Sequence, residues 1–397
     1  MVRGGYGIFF TNSQTFVNNF VINRRQPPFA ETQAITSSTA TPQIDIANPF
    51  INASAALVIN TQNINPDFVE GYTQQWNFTL QRLIPLGILL EAGYVGNKGT
   101  KLGELVFYNV PTPGPTTTIQ ARRPFPTWGT ALSLDSYVTS SYNSIQVKGS
   151  RRLARGTSIL GAYTMAKSID LSSERGAGDR GGGFDTGGGN VRDRRGYSRA
   201  LSGFDVRQRL VLSAVHELGF GRGQKMLANA GPLLNQIVSG WEISGIATFQ
   251  GGFPITATMS ADINGDGIAD RPDAVAPVQY NTRNPNCYII DSRNPACATT
   301  YSSFVDLPAG STRFGTAGRN ILTGPGLLNV DSGIAKNTHF GPNNRFNVQF
   351  RWEVFNGLNH ANFNQPARVV NVTAPRFGTL NSAGPARVMQ FGLRLEF

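Results

Sequence analysis

The chain has 397 residues, with 35 Lys and Arg against 24 Asp and Glu, for a formal net charge of +11. Only 15% of its residues are charged, whereas Gly (45), Pro (23) and Phe (25) are abundant; a soluble globular domain averages roughly 25% charged. This composition excludes a disordered chain, a coiled coil and a helical bundle. No stretch reaches the roughly 18 consecutive apolar residues that a transmembrane helix needs. The length suits two or three soluble domains or one large all-β barrel.

In chain order, the N-terminus from Met1 to Phe10 lacks the apolar core and small-residue cleavage site of a signal peptide and reads as a strand already under way. From Tyr72, the residues Trp76, Phe78 and Leu80 oppose Gln75, Asn77, Thr79 and Gln81. A tight turn follows at Pro85-Leu86-Gly87, and another at Leu153 to Gly156. Trp241, Ile243 and Phe249 oppose Glu242, Ser244, Thr248 and Gln250. The cleanest strand is Arg345 to Phe355: Phe346, Val348, Phe350, Trp352 and Val354 share one face, and Arg345, Asn347, Gln349, Arg351 and Glu353 the other. The last segment sets Met389, Phe391, Leu393, Leu395 and Phe397 against Gln390, Arg394 and Glu396. Side chains alternate faces along a strand, so each of these segments has one apolar and one polar face.

Two architectures produce this alternation. A soluble sandwich packs its apolar faces together, whereas an outer-membrane barrel turns them to lipid around a polar lumen. Three features favour the barrel. The strands run to about 9–11 residues, the length that crosses a membrane at a tilt. Aromatics (Tyr72, Tyr94, Tyr142, Trp241, Phe253) gather where interfacial girdles would lie. Short turns alternate with long excursions, at about 170–204 and 260–326. The expectation is an all-β antiparallel transmembrane barrel, partial at about 12–14 strands.

The long excursions hold the site-like chemistry. Asp262, Asn264, Asp266, Ile268, Asp270 and Asp273 fall at the ligand positions of a calcium loop, with Gly267 at its sharp turn. Asp273 is one methylene shorter than the usual bidentate Glu, and Pro272 excludes an ordinary helix-loop-helix. The alternative is an Asx-turn loop with no ion. Cys287 and Cys297, the only cysteines, read as one disulfide in an envelope-exposed loop, with two free thiols as the alternative; no nearby ligands complete a zinc site. The glycine-rich stretch Leu171 to Ser202 lacks the Lys-Ser/Thr of a phosphate cradle. Its arginines suit lipopolysaccharide phosphates or an anionic ligand, or are simply solvated. The dispersed basic residues give no nucleic-acid platform.

The terminal alternation ending in Phe397, with Phe391, Leu393 and Leu395, resembles the signal read by the outer-membrane barrel assembly machinery. The chain also resembles Oar-like TonB-dependent outer-membrane receptors. The resemblance rests on Arg3 to Phe9, Ala92 to Gly99, Ser141 to Val147, Ala162 to Asp170, Phe204 to Arg209, Phe355 to Phe363 and Gln390 to Phe397. It implies a place in the outer membrane among its lipids and passage of a substrate, whose identity the sequence does not give. Full members set a signal peptide, a regulatory-like β-sandwich, a TonB-contacting segment and a plug ahead of a barrel of about 22 strands. The expectation is that this chain is the C-terminal half to two-thirds of such a barrel, reaching TonB only through a plug it does not itself contain, and so not a transporter on its own.

An enzyme reading finds little support. His216, His339 and His360 are far apart in sequence, and no nucleophile elbow, metalloprotease motif or carboxylate pair appears. Glu242, Glu353 and Glu396, with Arg351 and Arg394, read as lumenal charge networks. The competing functions are a non-transporting surface barrel for adhesion or structural reception and, further off, a secreted β-rich hydrolase.

Overall fold

The computed structural model describes residues 1–10, 59–153, 156–173, 198–222, 224, 226–260, 262–263, 265, 270–342, 345–366 and 375–397. Chain order is β1 (Val2–Phe10), β2 (Ile59–Ile64), β3 (Tyr72–Ile84), β4 (Ile88–Phe107), β5 (Trp128–Leu153), β6 (Thr157–Asp170), β7 (Ala200–Leu201), β8 (Gln208–Glu217), α1 (Pro232–Val238), β9 (Trp241–Gln250), β10 (Pro254–Ile255), β11 (Asp273–Ala274), β12 (Gln279–Tyr280), β13 (Ile289–Ile290), β14 (Phe304–Val305), β15 (Leu322–Thr323), β16 (Leu327–Phe340), β17 (Phe346–Phe355) and β18 (Val388–Glu396).

One 12-stranded sheet forms the wall, in the order β1-β3-β4-β5-β6-β8-β9-β16-β17-β18. Every neighbour on that path is antiparallel, so the wall is an up-and-down meander. β7 pairs with β6, and β2 lies parallel to β5. The parallel pairing has a local cause. β6 covers β5 only from Ser140 to Leu153, which leaves the outer end of β5 with an open edge, and β2 fills it from Trp128 to Leu134. Among the described residues, the outer edges of β1 and β18 pair with no other strand.

Register makes the two faces continuous across the wall. Leu80, Ala92, Val147, Tyr163, Leu210, Phe249 and Leu328 are successive cross-strand partners on one face. Thr79, Gly93, Gln146, Thr164, Arg209 and Gln250 form the adjacent row on the other. The apolar face is not a core: Phe78 is 51%, Ile145 50% and Leu393 70% exposed. A soluble sandwich would bury those side chains. Tyr142 pairs with Asn97 and Ser168 and therefore sits on the polar face, not in an aromatic girdle on the apolar one.

Close approach requires glycine within the wall. Gly96 lies opposite Trp76, and a Cβ at Gly96 would fall inside the Trp76 indole. At the β3–β4 turn, Leu86 and Gly87 both take positive φ (72° and 71°), which tightens the reversal.

Connections segregate by side. The strand ends that bound 85–87, 154–156 and 341–345 lie at one end of the wall, together with the end of β18; residues 154–155 and 343–344 lie outside the described residues. The strand ends that bound 11–71, 108–127, 171–207, 251–326 and 356–387 lie at the other end. The excursions expected at about 170–204 and 260–326 are thus 171–207 and 251–326, bounded by β6 and β8 and by β9 and β16. One connection breaks the rule: 218–240, on the turn side, is long and carries α1.

Candidate functional site

The loop side carries a small folded cap. Residues 251–326 form three two-stranded ladders, β10–β15, β11–β14 and β12–β13. Ile255, Ala257, Tyr288, Ile289, Phe304, Ala317 and Leu322 bury a core there, joined by Phe377 from the next excursion. Phe304 and Phe377 meet edge to face with centroids 5.9 Å apart. Cys287 and Cys297 are joined by a disulfide, with Cα atoms 5.1 Å apart.

Several buried polar groups in the cap are paired, which offsets the loss of water. Asp291 accepts from the Ser303 N–H (3.0 Å), the Arg293 N–H (3.1 Å) and Arg293 Nη1 (3.2 Å). Asn294 donates to the Asn286 carbonyl (2.7 Å) and the Phe377 carbonyl (3.1 Å), which ties the two excursions together. Burial, with the neighbouring Tyr280 adding to it, pushes the Tyr288 phenol up to about 12.

The cap is locked to the wall. Buried Arg319 forms an ion pair with buried Asp170 at the end of β6, and its Nη2 also donates to the Asp170 carbonyl (2.9 Å). Asn320 donates to the Leu201 carbonyl (2.7 Å) and accepts from Thr256 (3.0 Å). Beside this contact, Asp205 accepts the Ser168 N–H (2.6 Å). Burial raises the Asp205 carboxyl above the usual range, against the lowering effect of that hydrogen bond and of Arg207.

Where cap meets wall lies a cavity of about 570 Å³, lined by Gln250, Phe253, Asn329, Asp331, Phe355, Phe363, Asn364 and neighbouring backbone. Its wall residues come from the polar faces of β9, β16 and β17 at their loop ends. The Asp331 carboxylate accepts from the Asn356 N–H (2.8 Å) and from Asn329 (2.9 Å), so its charge is spread into the frame. Asn356, at φ 48°, donates to the carbonyls of His360 (2.9 Å) and Pro385 (3.2 Å), stapling the exit of β17 to the entry of β18. Asn362 accepts the Leu328 N–H (2.9 Å). The stretch Phe355 to Phe363, which carried the family resemblance, therefore builds the floor of this cavity. The result is a site of phenyl faces and amides, suited to an amphiphilic ligand with hydrogen-bonding groups. Sequence reading did not single out Asn329 or Asp331; their signal was polar alternation along β16.

The remaining sequence-predicted residues fall as follows. Of the calcium-loop positions, Asn264, Asp266 and Ile268 lie outside the described residues. Buried Asp270 accepts the Ile263 N–H (2.8 Å). Asp273 is engaged by both guanidinium nitrogens of Arg313 (2.8 and 2.6 Å) and by the Thr316 N–H (3.0 Å), and Arg313 holds its carboxyl below the usual range. Among the described residues, no group of three or more His, Cys, Asp or Glu is placed to hold a metal. Phe391 stacks on Trp352 (6.1 Å between centroids), while Leu393 and Leu395 continue the exposed apolar stripe of β18 up to Phe397. Most of the glycine-rich stretch, 174–197, lies outside the described residues. His216 bonds Thr157 (2.7 Å) on the turn side, and His360 accompanies Asn356 on the loop side, so these two are not brought together. Arg394 pairs with Glu396 (2.9 Å) and Gln390 with Glu353 (3.2 Å) on the polar face.

The sequence matches the outer membrane beta barrel domain family over residues 1–390. The chain belongs to that family. The apolar face of its wall is accordingly a lipid face, and the protein is placed in the outer membrane of a Gram-negative envelope. No curated relative matches the sequence. Among solved structures, the chain is similar to the outer membrane transporter YddB from Escherichia coli at 11% identity and a TM-score of 0.45, with 85% of this chain and 34% of that one covered. It is also similar to the ferripyoverdine receptor of the outer membrane of Pseudomonas aeruginosa, bound to ferripyoverdine, at 12% identity and a TM-score of 0.39, with 82% of this chain and 27% of that one covered. The chain thus spans about a third or less of the length of either structure.

Proposed function

We propose that this chain is the barrel segment of a TonB-dependent receptor, binding a substrate in the loop-side cavity and passing it inward when joined to a plug. The observation that carries the reading is the cavity itself. It opens on the polar face of β9, β16 and β17, the face that becomes a lumen in a transmembrane barrel, and the cap covers it from the outer side. Binding and passage need no reacting groups, and the reading is of a non-enzymatic receptor. Its partners are membrane lipid along the apolar face, the barrel assembly machinery at Phe391, Leu393, Leu395 and Phe397, and TonB through the plug. A calcium ion in loop 262–273 would use Asp262, Asn264, Asp266, the Ile268 carbonyl and Asp270, and would take Asp273 only by displacing Arg313.

The test is uptake of a panel of metal chelates and oligosaccharides by cells making the full-length protein. The expected outcome is accumulation that a protonophore abolishes while surface binding persists, with both lost on filling the cavity by Leu327→Trp, at a lining position where β16 begins. Binding without energised accumulation would instead make the protein a non-transporting surface barrel. Calorimetric titration with calcium, showing no heat and no chelator-sensitive stability, would remove the ion from the reading.

A further inference from the structure

The connection 218–240 is long on the side where outer-membrane barrels keep their turns short, and it exposes apolar side chains that no element covers among the described residues. On α1, Leu233 is 81% and Ile237 66% exposed, with Leu234 exposed beside them. At helical spacing, Leu233, Leu234, Ile237 and Val238 share one arc, and Asn235 and Gln236 the opposite one. The polar arc is tied to its own connection at Asn235. Asn235 accepts the Arg222 N–H (2.6 Å), and its carbonyl accepts the Ser239 N–H (3.0 Å) and hydroxyl (2.6 Å).

The helix is joined to the lipid face of the wall. Trp241 begins β9 on that face, and its indole Nε1 donates to the Ile237 carbonyl (2.9 Å), joining the helix to the first membrane-facing aromatic. Lys336, its partner on β16, sets Nζ 5.9 Å from the Trp241 ring centroid. A Trp and a Lys at this level are the anchors of a headgroup region. An amphipathic segment with its polar arc held by its own loop and its apolar arc exposed is built to lie in such an interface.

We propose that α1 is an interfacial foot, inserted by Leu233, Leu234 and Ile237 among the acyl chains of the phospholipid leaflet on the turn side of the outer membrane. The foot fixes the depth and tilt of this sector of the wall and marks the leaflet at which β8 and β9 leave the bilayer. The occupant is phospholipid, because Trp241, which holds the helix through the Ile237 carbonyl, begins the lipid face of the wall.

The test is electron paramagnetic resonance on the full-length protein in isolated outer membranes, with a nitroxide on Leu233→Cys, Ile237→Cys or, as the control on the polar arc, Gln236→Cys. Cys287 and Cys297 are joined in a disulfide, so neither takes up the label. Heat-modifiable gel mobility verifies that each labelled barrel is folded. The expected result is an oxygen-to-nickel collision ratio severalfold higher at 233 and 237 than at 236. Equal nickel access at all three positions would put the helix in water and overturn the proposal. Protection of 233 and 237 from both reagents would overturn it equally, by showing a protein partner on the arc.

Discussion

The wall and the cap use the same apolar residue types in opposite directions. In the wall, Phe78, Ile145 and Leu393 point away from the protein and meet lipid, and stability rests on the continuous ladder from β1 to β18. In the cap, Ile289, Phe304, Leu322 and Phe377 point into a core, held by one disulfide and by paired buried charges, as in a small soluble domain. Water explains the difference. The wall sits where water is absent, so burying apolar area within it gains nothing; the cap stands in water and must hide its own.

The contrast can be broken at its hinge first. Asp170→Ala leaves Arg319 buried beside an empty site, and losing one partner of a buried pair costs about 3–5 kcal/mol. Hydrogen exchange should show the cap loosening while the β3–β6 ladder stays protected; equal loss in both regions would mean that they are one cooperative unit. In the wall, Val147→Arg puts a charge on the lipid face and should cost about 2–4 kcal/mol near mid-membrane in chemical unfolding. The same change at Gln146, on the lumenal face, should cost little. If the two positions respond alike, the face assignment is wrong.

Replacing Cys287 and Cys297 by Ser opens a short loop and should cost the cap about 2–3 kcal/mol by the loop-entropy estimate, with unfolding of the wall unchanged. Gly96→Ala drives a methyl into the Trp76 indole and should cost about 1–3 kcal/mol as overpacking in the wall alone. The smallest effect is that of pH on the cap. Arg313 depresses the Asp273 carboxyl, so the stabilisation by that pair is complete above the ordinary carboxylate pKa of about 4 and is lost as pH falls through the lower folded value. Asp205 has the opposite sign: its raised carboxyl means that its burial cost is relieved as pH falls through the folded value. Exchange rates around Thr316 should therefore rise in acid while those around Ser168 do not, and Asp273→Asn should remove the acid response at Thr316.

Strands, faces and tight turns were legible in the chain because alternation is local. The segments beginning at Tyr72 and Trp241 are strands from those residues on, and Pro85-Leu86-Gly87 is the turn between β3 and β4. The full reach of β4 and β5 and the parallel strand β2 were not legible, since each depends on an edge that another strand leaves open. The turn-side helix α1 was also missed, because four apolar residues in a seven-residue helix give too short a periodic signal.

The sequence by itself determined the two-faced strands and the all-β architecture, because a period of two and its turn residues are properties of neighbouring residues. Only the tertiary structure decided that Phe377 completes the core of a cap built by a different excursion, that Arg319 meets Asp170, and that Asn329 and Asp331 line a cavity with Asn356 in its frame. Those contacts join segments tens to more than a hundred residues apart. No local pattern encodes them, since it is the register of the whole wall that brings their loop ends together.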